Sequence, residues 1–307
     1  MPRIIITGGT GFIGRPLSQR IVERGYEVVC LTRNAPTAKE KWGNRIKFVD
    51  WSGRNAVGWG GYAEGALAII NLAGESIASG RWNAEKKQRI LLSRMNAGEA
   101  VVKAVQSAKK KPEVIIQASA IGFYGDRGDK VLDETSPPGK GFLAEVTKKW
   151  EASTAAVETC TRRLIIRTGM VLGPNGGALV RLVQPFRFFL GGHSGTGEQW
   201  NSWIHIEDVI QSILFLMENK DLRGVFNLTA PCPLRNKDFC QAVGNVLGRP
   251  SWLPVPVFFL KLIFGELAKE VLVSGQRIYP KRLEESGYQF IFPEAEKALS
   301  DILGKTS

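Results

Sequence analysis

The sequence predicts an α/β fold, a doubly wound parallel sheet with a smaller lobe built from later segments. Two observations predict it. Short, near-continuous apolar runs alternate with longer stretches of helical spacing through the first half of the chain, and a glycine-rich turn joins the first such run to the first helix. Strands without a polar face belong to a sheet covered on both sides, and parallel strands need crossovers that are right-handed in nearly every case.

Residues 3–7 (RIIIT) form the first strand, followed by the glycine turn and a helix over 12–24 that Gly25 ends. Strands follow at 27–31, 46–50 and 67–71, then a long helical pattern over 83–108. A fifth strand covers 113–118, a helix 143–157 and a sixth strand 163–167. After Gly173 the pattern changes to glycine turns and an aromatic helix. An amphipathic helix over 206–218 and a strand over 225–229 return to the earlier style, and the remainder holds proline turns, apolar helices and aromatics. Segments 1–172 and 206–229 are expected to form the sheet domain, and 173–205 with 230–307 the smaller C-terminal lobe. There is no internal repeat.

With 307 residues, 44% apolar and 23% charged, the chain can bury a sizeable core. Lysine and arginine exceed aspartate and glutamate by 41 to 29, a formal charge of +12 that favours anionic partners. The surplus is dispersed. Its only tight run, Lys109-Lys110-Lys111, reads as the solvated end of a helix, so nucleic acid is not expected as a partner. The four cysteines form no C-x-x-C pair, and with only His193 and His205 available no metal cluster stands out. The chain enters directly at MPRIIITGG, and the apolar stretch 252–264 is interrupted by Pro254 and Pro256 and too short to span a bilayer. A reducing cytoplasm and no membrane partner are expected.

The strongest local signal is ITGGTGFIG, in which Gly8, Gly11 and Gly14 enclose Thr10, Phe12 and Ile13 between strand and helix. The first glycine permits a tight turn, the second lets the backbone approach a pyrophosphate, and the third lets helix and strand pack closely. The helix N-terminus then offers N–H groups and a positive dipole end to phosphate. This is the fingerprint of a Rossmann-type dinucleotide site. Strands of this kind that bind NAD usually end in a carboxylate; here the second ends Thr32-Arg33. Arginine's planar fork suits a 2′-phosphate, so NADP is the expected cofactor, with a solvated surface arginine as the alternative reading.

With these residues in place, the chain resembles the extended short-chain dehydrogenase/reductase superfamily over essentially its whole length. Asn71-Leu72-Ala73-Gly74 is similar to the turn beneath the adenosine side of the cofactor. RTGMVLGP (167–174), which includes Val171, is similar to the segment flanking the nicotinamide, and WIHIEDV (203–209) to the late strand-to-helix join. NLAGESI, SRMNAG (93–98), WEA (150–152) and GYQFIFPEAEKAL resemble a narrower subgroup. These are atypical "epimerase family" proteins with a small C-terminal domain of unknown function, often labelled cell-division-inhibitor homologues. The resemblance implies a dinucleotide-binding protein of unestablished substrate, and suggests that Arg94 either reaches the cofactor or is an exposed helix arginine.

Members of the superfamily normally carry Tyr-x-x-x-Lys on the helix after the fifth strand, as acid/base and its activating cation. That helix reads GFLAEVTKKWEAS. One register puts Leu143 and Thr147 at the two positions; the next gives Ala144 and Lys148, so no register restores the pair. The remaining hydroxyls are Ser119, which matches the superfamily's active-site serine, and Tyr124, in a loop whose tyrosine commonly lines the substrate pocket. Each has a packing alternative, Ser119 bonded to backbone and Tyr124 held beneath its loop. A tyrosine with a pKa of about 10 also needs a nearby cation, which Lys148 would supply across the pocket. His205 is a further proton carrier or a structural residue. Phe186, Phe188, Phe189, Trp200 and Trp203 form either an apolar pocket wall or core.

The functional expectation is an NADP(H)-binding oxidoreductase or epimerase-like protein acting on a small molecule held under the C-terminal lobe. The alternative is a non-enzymatic NADPH sensor or scaffold.

Overall fold

The computed structural model describes residues 1–304. Its strands are β1 (Arg3–Thr7), β2 (Glu27–Thr32), β3 (Lys47–Asp50), β4 (Ala68–Asn71), β5 (Val114–Ala120), β6 (Val131–Leu132), β7 (Arg162–Thr168), β8 (Met170–Leu172), β9 (Trp200–Asn201), β10 (Trp203–His205), β11 (Gly224–Leu228), β12 (Leu234–Arg235) and β13 (Arg277–Ile278). The helices are α1 (Gly14–Glu23), α2 (Ala35–Trp42), α3 (Ala84–Ser107), α4 (Phe142–Ala152), α5 (Leu179–Arg187), α6 (Ile206–Glu218), α7 (Asn236–Leu247), α8 (Val257–Phe264), α9 (Lys281–Glu285) and α10 (Ala295–Leu303).

Seven strands form one sheet in the order β11-β7-β5-β4-β1-β2-β3, every neighbouring pair parallel. This is the doubly wound fold the sequence predicts. Alternate residues of the same strand feed opposite layers, as a period of two requires. Ile4 and Ile6 pack with Leu17 and Ile21 of α1 and with Val209 and Ile213 of α6. Ile5 and Val29 pack on the other side with Ala97, Val101 and Ala104 of α3. Small residues let α3 lie close. A Cβ at Gly98 would sit 1.9 Å from Ser153 Oγ, so only glycine fits there.

Local signals account for the helix starts. Asn83 caps α3 by accepting from Lys86 N at 2.7 Å, and Asn34 caps α2 by accepting from Thr37 N at 3.0 Å. His205 caps α6, its Nδ1 accepting from Glu207 N at 3.1 Å, so its role is structural. The helix expected over 143–157 stops at Ala152 and continues, after a break, as a single tight turn at Ala155–Thr159. The Ser153 hydroxyl donates to Trp150 O at 2.7 Å there, competing with the backbone ladder.

A second core of Leu179, Phe186, Phe239, Val243 and Leu299 packs α5, α7 and α10 together, with Leu172 and Trp203 reaching in from β8 and β10. Phe186 and Trp203 are thus core residues, not a pocket wall. The C-terminal stretch is fastened to α6 by buried Asp208, whose carboxylate accepts from Tyr288 Oη (3.0 Å), Ile291 N (2.8 Å) and Phe292 N (2.9 Å). Asp208→Ala leaves the N–H groups of Ile291 and Phe292 without their acceptor and Tyr288 Oη with only the backbone oxygen of residue 208, and we expect a loss of roughly 2–3 kcal/mol in urea unfolding, with Asp208→Asn losing less.

Candidate functional site

A cleft of about 1460 Å³ opens where the C-terminal ends of β1, β2, β4 and β5 meet the start of α1. Strand order reverses between β1 and β4, and open parallel sheets bind ligands at that point.

The glycine turn is shaped by backbone contact. Gly8 has φ +67°, and a Cβ there would lie 3.1 Å from the backbone of Leu72 and Ala73. At Gly14 a Cβ would lie 2.3 Å from Gly8 O and 2.6 Å from Gly9 Cα, so any side chain would push α1 off the turn. No side chain caps α1 at Ile13. Its N-terminal end faces the cleft along Thr10, Gly11, Phe12, Ile13 and Gly14, an arrangement that fits the pyrophosphate of a dinucleotide. The Phe12 ring is wedged beneath the 173–177 turn; a Cβ at Gly176 would come within 2.6 Å of it. Below the turn a buried polar ladder joins three strand ends. Thr7 Oγ1 donates to Asn71 Oδ1 at 2.6 Å, and Asn71 Nδ2 to Gln117 Oε1 at 2.9 Å.

At the end of β2, Thr32 and exposed Arg33 line the cleft, joined there by Lys41 and Arg54. On the opposite wall lie Leu72, Ala73 and Gly74. Arg94 is not the exposed helix arginine of the alternative reading. Its Cζ would lie 3.0 Å from a Cβ at Gly74, its Nη1 donates to Glu75 O (3.0 Å) and Ile90 O (2.9 Å), and its Cζ stands 4.8 Å from the Trp150 ring centroid. Burial lowers its pKa to about 10. It braces the Gly74 turn from behind and does not line the cleft. Val171 is likewise outside the cleft, paired in β8 with Ile204 of β10.

Ser119, at the end of β5, lines the cleft floor beside Trp150. Its hydroxyl donates to Glu151 Oε1 at 2.6 Å. Arg167 grips the same carboxylate with both arms, Nε to Oε1 at 2.8 Å and Nη2 to Oε2 at 2.9 Å. Arg167 Nη1 then donates to Tyr124 Oη at 3.0 Å, and Tyr124 Oη donates to Asn227 Oδ1 at 2.7 Å. All five residues are buried.

Tyr124 is therefore turned away from the cleft and faces β11. Burial raises its pKa to about 12 against the opposing pull of Arg167, so the phenol stays protonated near neutrality. Lys148 does not reach it; exposed on α4, it pairs with Glu145 at 2.9 Å. Thr147, at the lysine position of the missing dyad, bonds back to Leu143 O at 2.9 Å. Of the expected aromatic wall, Trp200 is stacked between Arg235 and Arg277, with guanidinium carbons 4.2 and 4.5 Å from its ring centroid, and Phe188 and Phe189 are exposed.

Glu151 and Arg167 were visible in WEA and RTGMVLGP, but nothing in either stretch assigns them to each other. Their pairing is tertiary, between α4 and β7.

Residues 4–229 match the family model "NAD dependent epimerase/dehydratase family", and residues 255–302 match "Domain of unknown function (DUF1731)". The chain is 40% identical to Epimerase family protein YfhF of Bacillus subtilis, over 98% of this chain and 97% of that protein. It is 39% identical to Epimerase family protein SDR39U1 homolog, chloroplastic, of Arabidopsis thaliana, over 98% of this chain and 86% of that protein. Among solved structures it is similar to human epimerase family protein SDR39U1 (isoform 2) with NADPH, with TM-score 0.88 and 32% identity over 98% and 99% of the two chains.

Two outcomes follow from the buried network. Glu151→Ala strands Arg167 as an unpaired buried cation and should cost about 3–5 kcal/mol in urea unfolding, most of it recovered in the double variant Glu151→Met/Arg167→Met. Tyr124 keeps its proton longer folded than unfolded, so its contribution is intact below about pH 10 and lost as pH rises through about 12. Stability measured across that interval should therefore fall less steeply in Tyr124→Phe than in the wild type.

Proposed function

The chain belongs to the NAD dependent epimerase/dehydratase family, and on that premise we propose that it is an NADP(H)-dependent oxidoreductase or epimerase-like enzyme acting on a small molecule. It works without the Tyr-x-x-x-Lys pair, using Ser119 as the reacting hydroxyl. The observation that carries the reading is one continuous cleft that joins an uncapped helix N-terminus, a cationic end and the Ser119 floor.

The N–H groups at the start of α1 hold the pyrophosphate, and Arg33 with Lys41 and Arg54 receives a 2′-phosphate. That a human relative of 32% identity was crystallised with NADPH supports this choice. A bound nicotinamide supplies a hydride donor or acceptor; the rest is done by this chain. Ser119 has a single proton and directs it to Glu151, so it presents lone pairs to the cleft. It accepts a hydrogen bond from a substrate hydroxyl and holds that oxygen on the floor. The Glu151–Arg167 clamp fixes the serine rotamer and gives the proton a path inward, from substrate oxygen to Oγ and from Oγ to Oε1.

Titration of the purified protein should show tighter binding of NADPH than of NADH. Arg33→Ser should weaken NADPH at least about tenfold, roughly 1.4 kcal/mol, and leave NADH nearly unchanged. A preference for NADH in the wild type contradicts the cofactor assignment. On a panel of alcohols, carbonyls and nucleotide sugars, Ser119→Ala should lower turnover by about 10²–10⁴-fold while still binding NADPH. Cofactor binding with no turnover on any of them points instead to a non-enzymatic NADPH-binding protein.

A further inference from the structure

The C-terminal lobe presents an apolar surface that the cleft does not use. Phe188 is 74% exposed, Trp252 65% and Phe258 71%, and α8 also turns Phe259, Leu262 and Ile263 outward, with Leu260 buried and Val257 packed against the turn at Gly195. The segments that carry these side chains are tied together by backbone bonds. Trp252 Nε1 donates to Phe189 O at 3.2 Å, and the N–H groups of Trp252 and Leu253 donate to Gly191 O at 3.1 and 3.0 Å. The strand-like stretch continues with Val255 N on His193 O at 2.8 Å and runs through Pro256 directly into α8. Phe189 is the one non-glycine described with positive φ, +62°, a costly backbone for an aromatic residue that leaves its ring on the surface. Contiguous exposed apolar surface of this kind marks an interaction site.

The charge around it identifies the partner. Segments 179–194 and 249–274 contain Arg187, Arg249, Lys261 and Lys269, besides Arg181, which turns to Ala78 O at 2.7 Å, against only Glu266 and Glu270. Both carboxylates are engaged elsewhere, Glu266 with Lys87 Nζ at 2.8 Å and Glu270 with Leu143 N at 3.2 Å. The cations are all exposed, and Arg249 stands 4.4 Å over the Phe189 ring.

We propose that this face docks on an anionic lipid bilayer, with α8 lying in the plane of the interface. Phe258, Phe259, Leu262 and Ile263 enter the boundary of the acyl chains, and Lys261 and Arg249 reach the headgroups along their apolar stems. A second copy of the chain fits less well, since a two-fold contact would set the same cationic rim against itself. Among the described residues no helix is long and apolar enough to cross a membrane, so the attachment is peripheral. The expectation of no membrane partner rested on spanning length, which a helix lying flat does not need.

The test is sedimentation of the full chain with phosphatidylcholine vesicles and with vesicles also containing phosphatidylglycerol, at low and high salt. The protein should pellet with the anionic vesicles and less so at high salt. Phe258→Ser/Phe259→Ser should lower the partition coefficient by about tenfold or more with NADPH binding and circular dichroism intact, and Lys261→Glu should weaken binding chiefly at low salt. No pelleting with anionic vesicles overturns the proposal. So does unchanged pelleting of the double variant, or a concentration-dependent dimer in analytical ultracentrifugation that the double variant abolishes.

Discussion

The two-armed ion pair between Glu151 and Arg167 is the contact on which the rest of the site depends. It ties α4 to β7, and its further bonds take in Ser119 of β5 and, through Tyr124, Asn227 of β11. A buried ion pair adds little net stability over apolar residues of the same shape, because desolvation offsets most of the attraction. What it does impose is geometry. Ser119, whose one proton goes to Glu151, is thereby held at the cleft floor with its acceptor side outward. The face of α4 that would carry a tyrosine and lysine instead carries Leu143 and Thr147, and the polar work has moved one turn along to Glu151.

The two halves of the cleft rest on different kinds of constraint. The end at the glycine turn rests on backbone: glycines that admit no Cβ, an uncapped helix end and strand ends in parallel register. The floor rests on side chains brought together from distant segments. This division explains what could be read beforehand. Gly8 and Gly14 were legible because their residue type is forced by contacts within the same turn or with the adjacent strand end. The place of Arg33 on the cleft wall was legible because it follows directly on the end of β2. Tyr124 was not, because its loop position says nothing of direction; its partner Asn227 lies 103 residues away. The enclosure of Arg94 was not legible either, since Trp150 and the Gly74 turn reach it from other elements. The strands β8 and β10, three residues each, are too short to show a period.

The apolar face of the C-terminal lobe borders the cleft through definite contacts. Lys87 on α3 holds Glu266 just beyond α8, and Arg181 on α5 donates to Ala78 O at 2.7 Å, beside the cleft-lining Ser76 and Ser79. Through α5 this region is joined to the loop between β4 and α3 that forms one rim of the site, and through Glu266 to the first turn of α3. Fold and family account for the sheet and the glycine turn. The rim and the floor are where this chain's own chemistry lies.

The most direct test is a crystal structure of the protein with NADPH. The pyrophosphate should lie at the start of α1, the 2′-phosphate against Arg33, and the nicotinamide above Ser119 with the Ser119–Glu151 bond intact. A nicotinamide placed away from Ser119, or a Ser119 hydroxyl turned from Glu151 to donate into the cleft, would contradict the role proposed for Ser119.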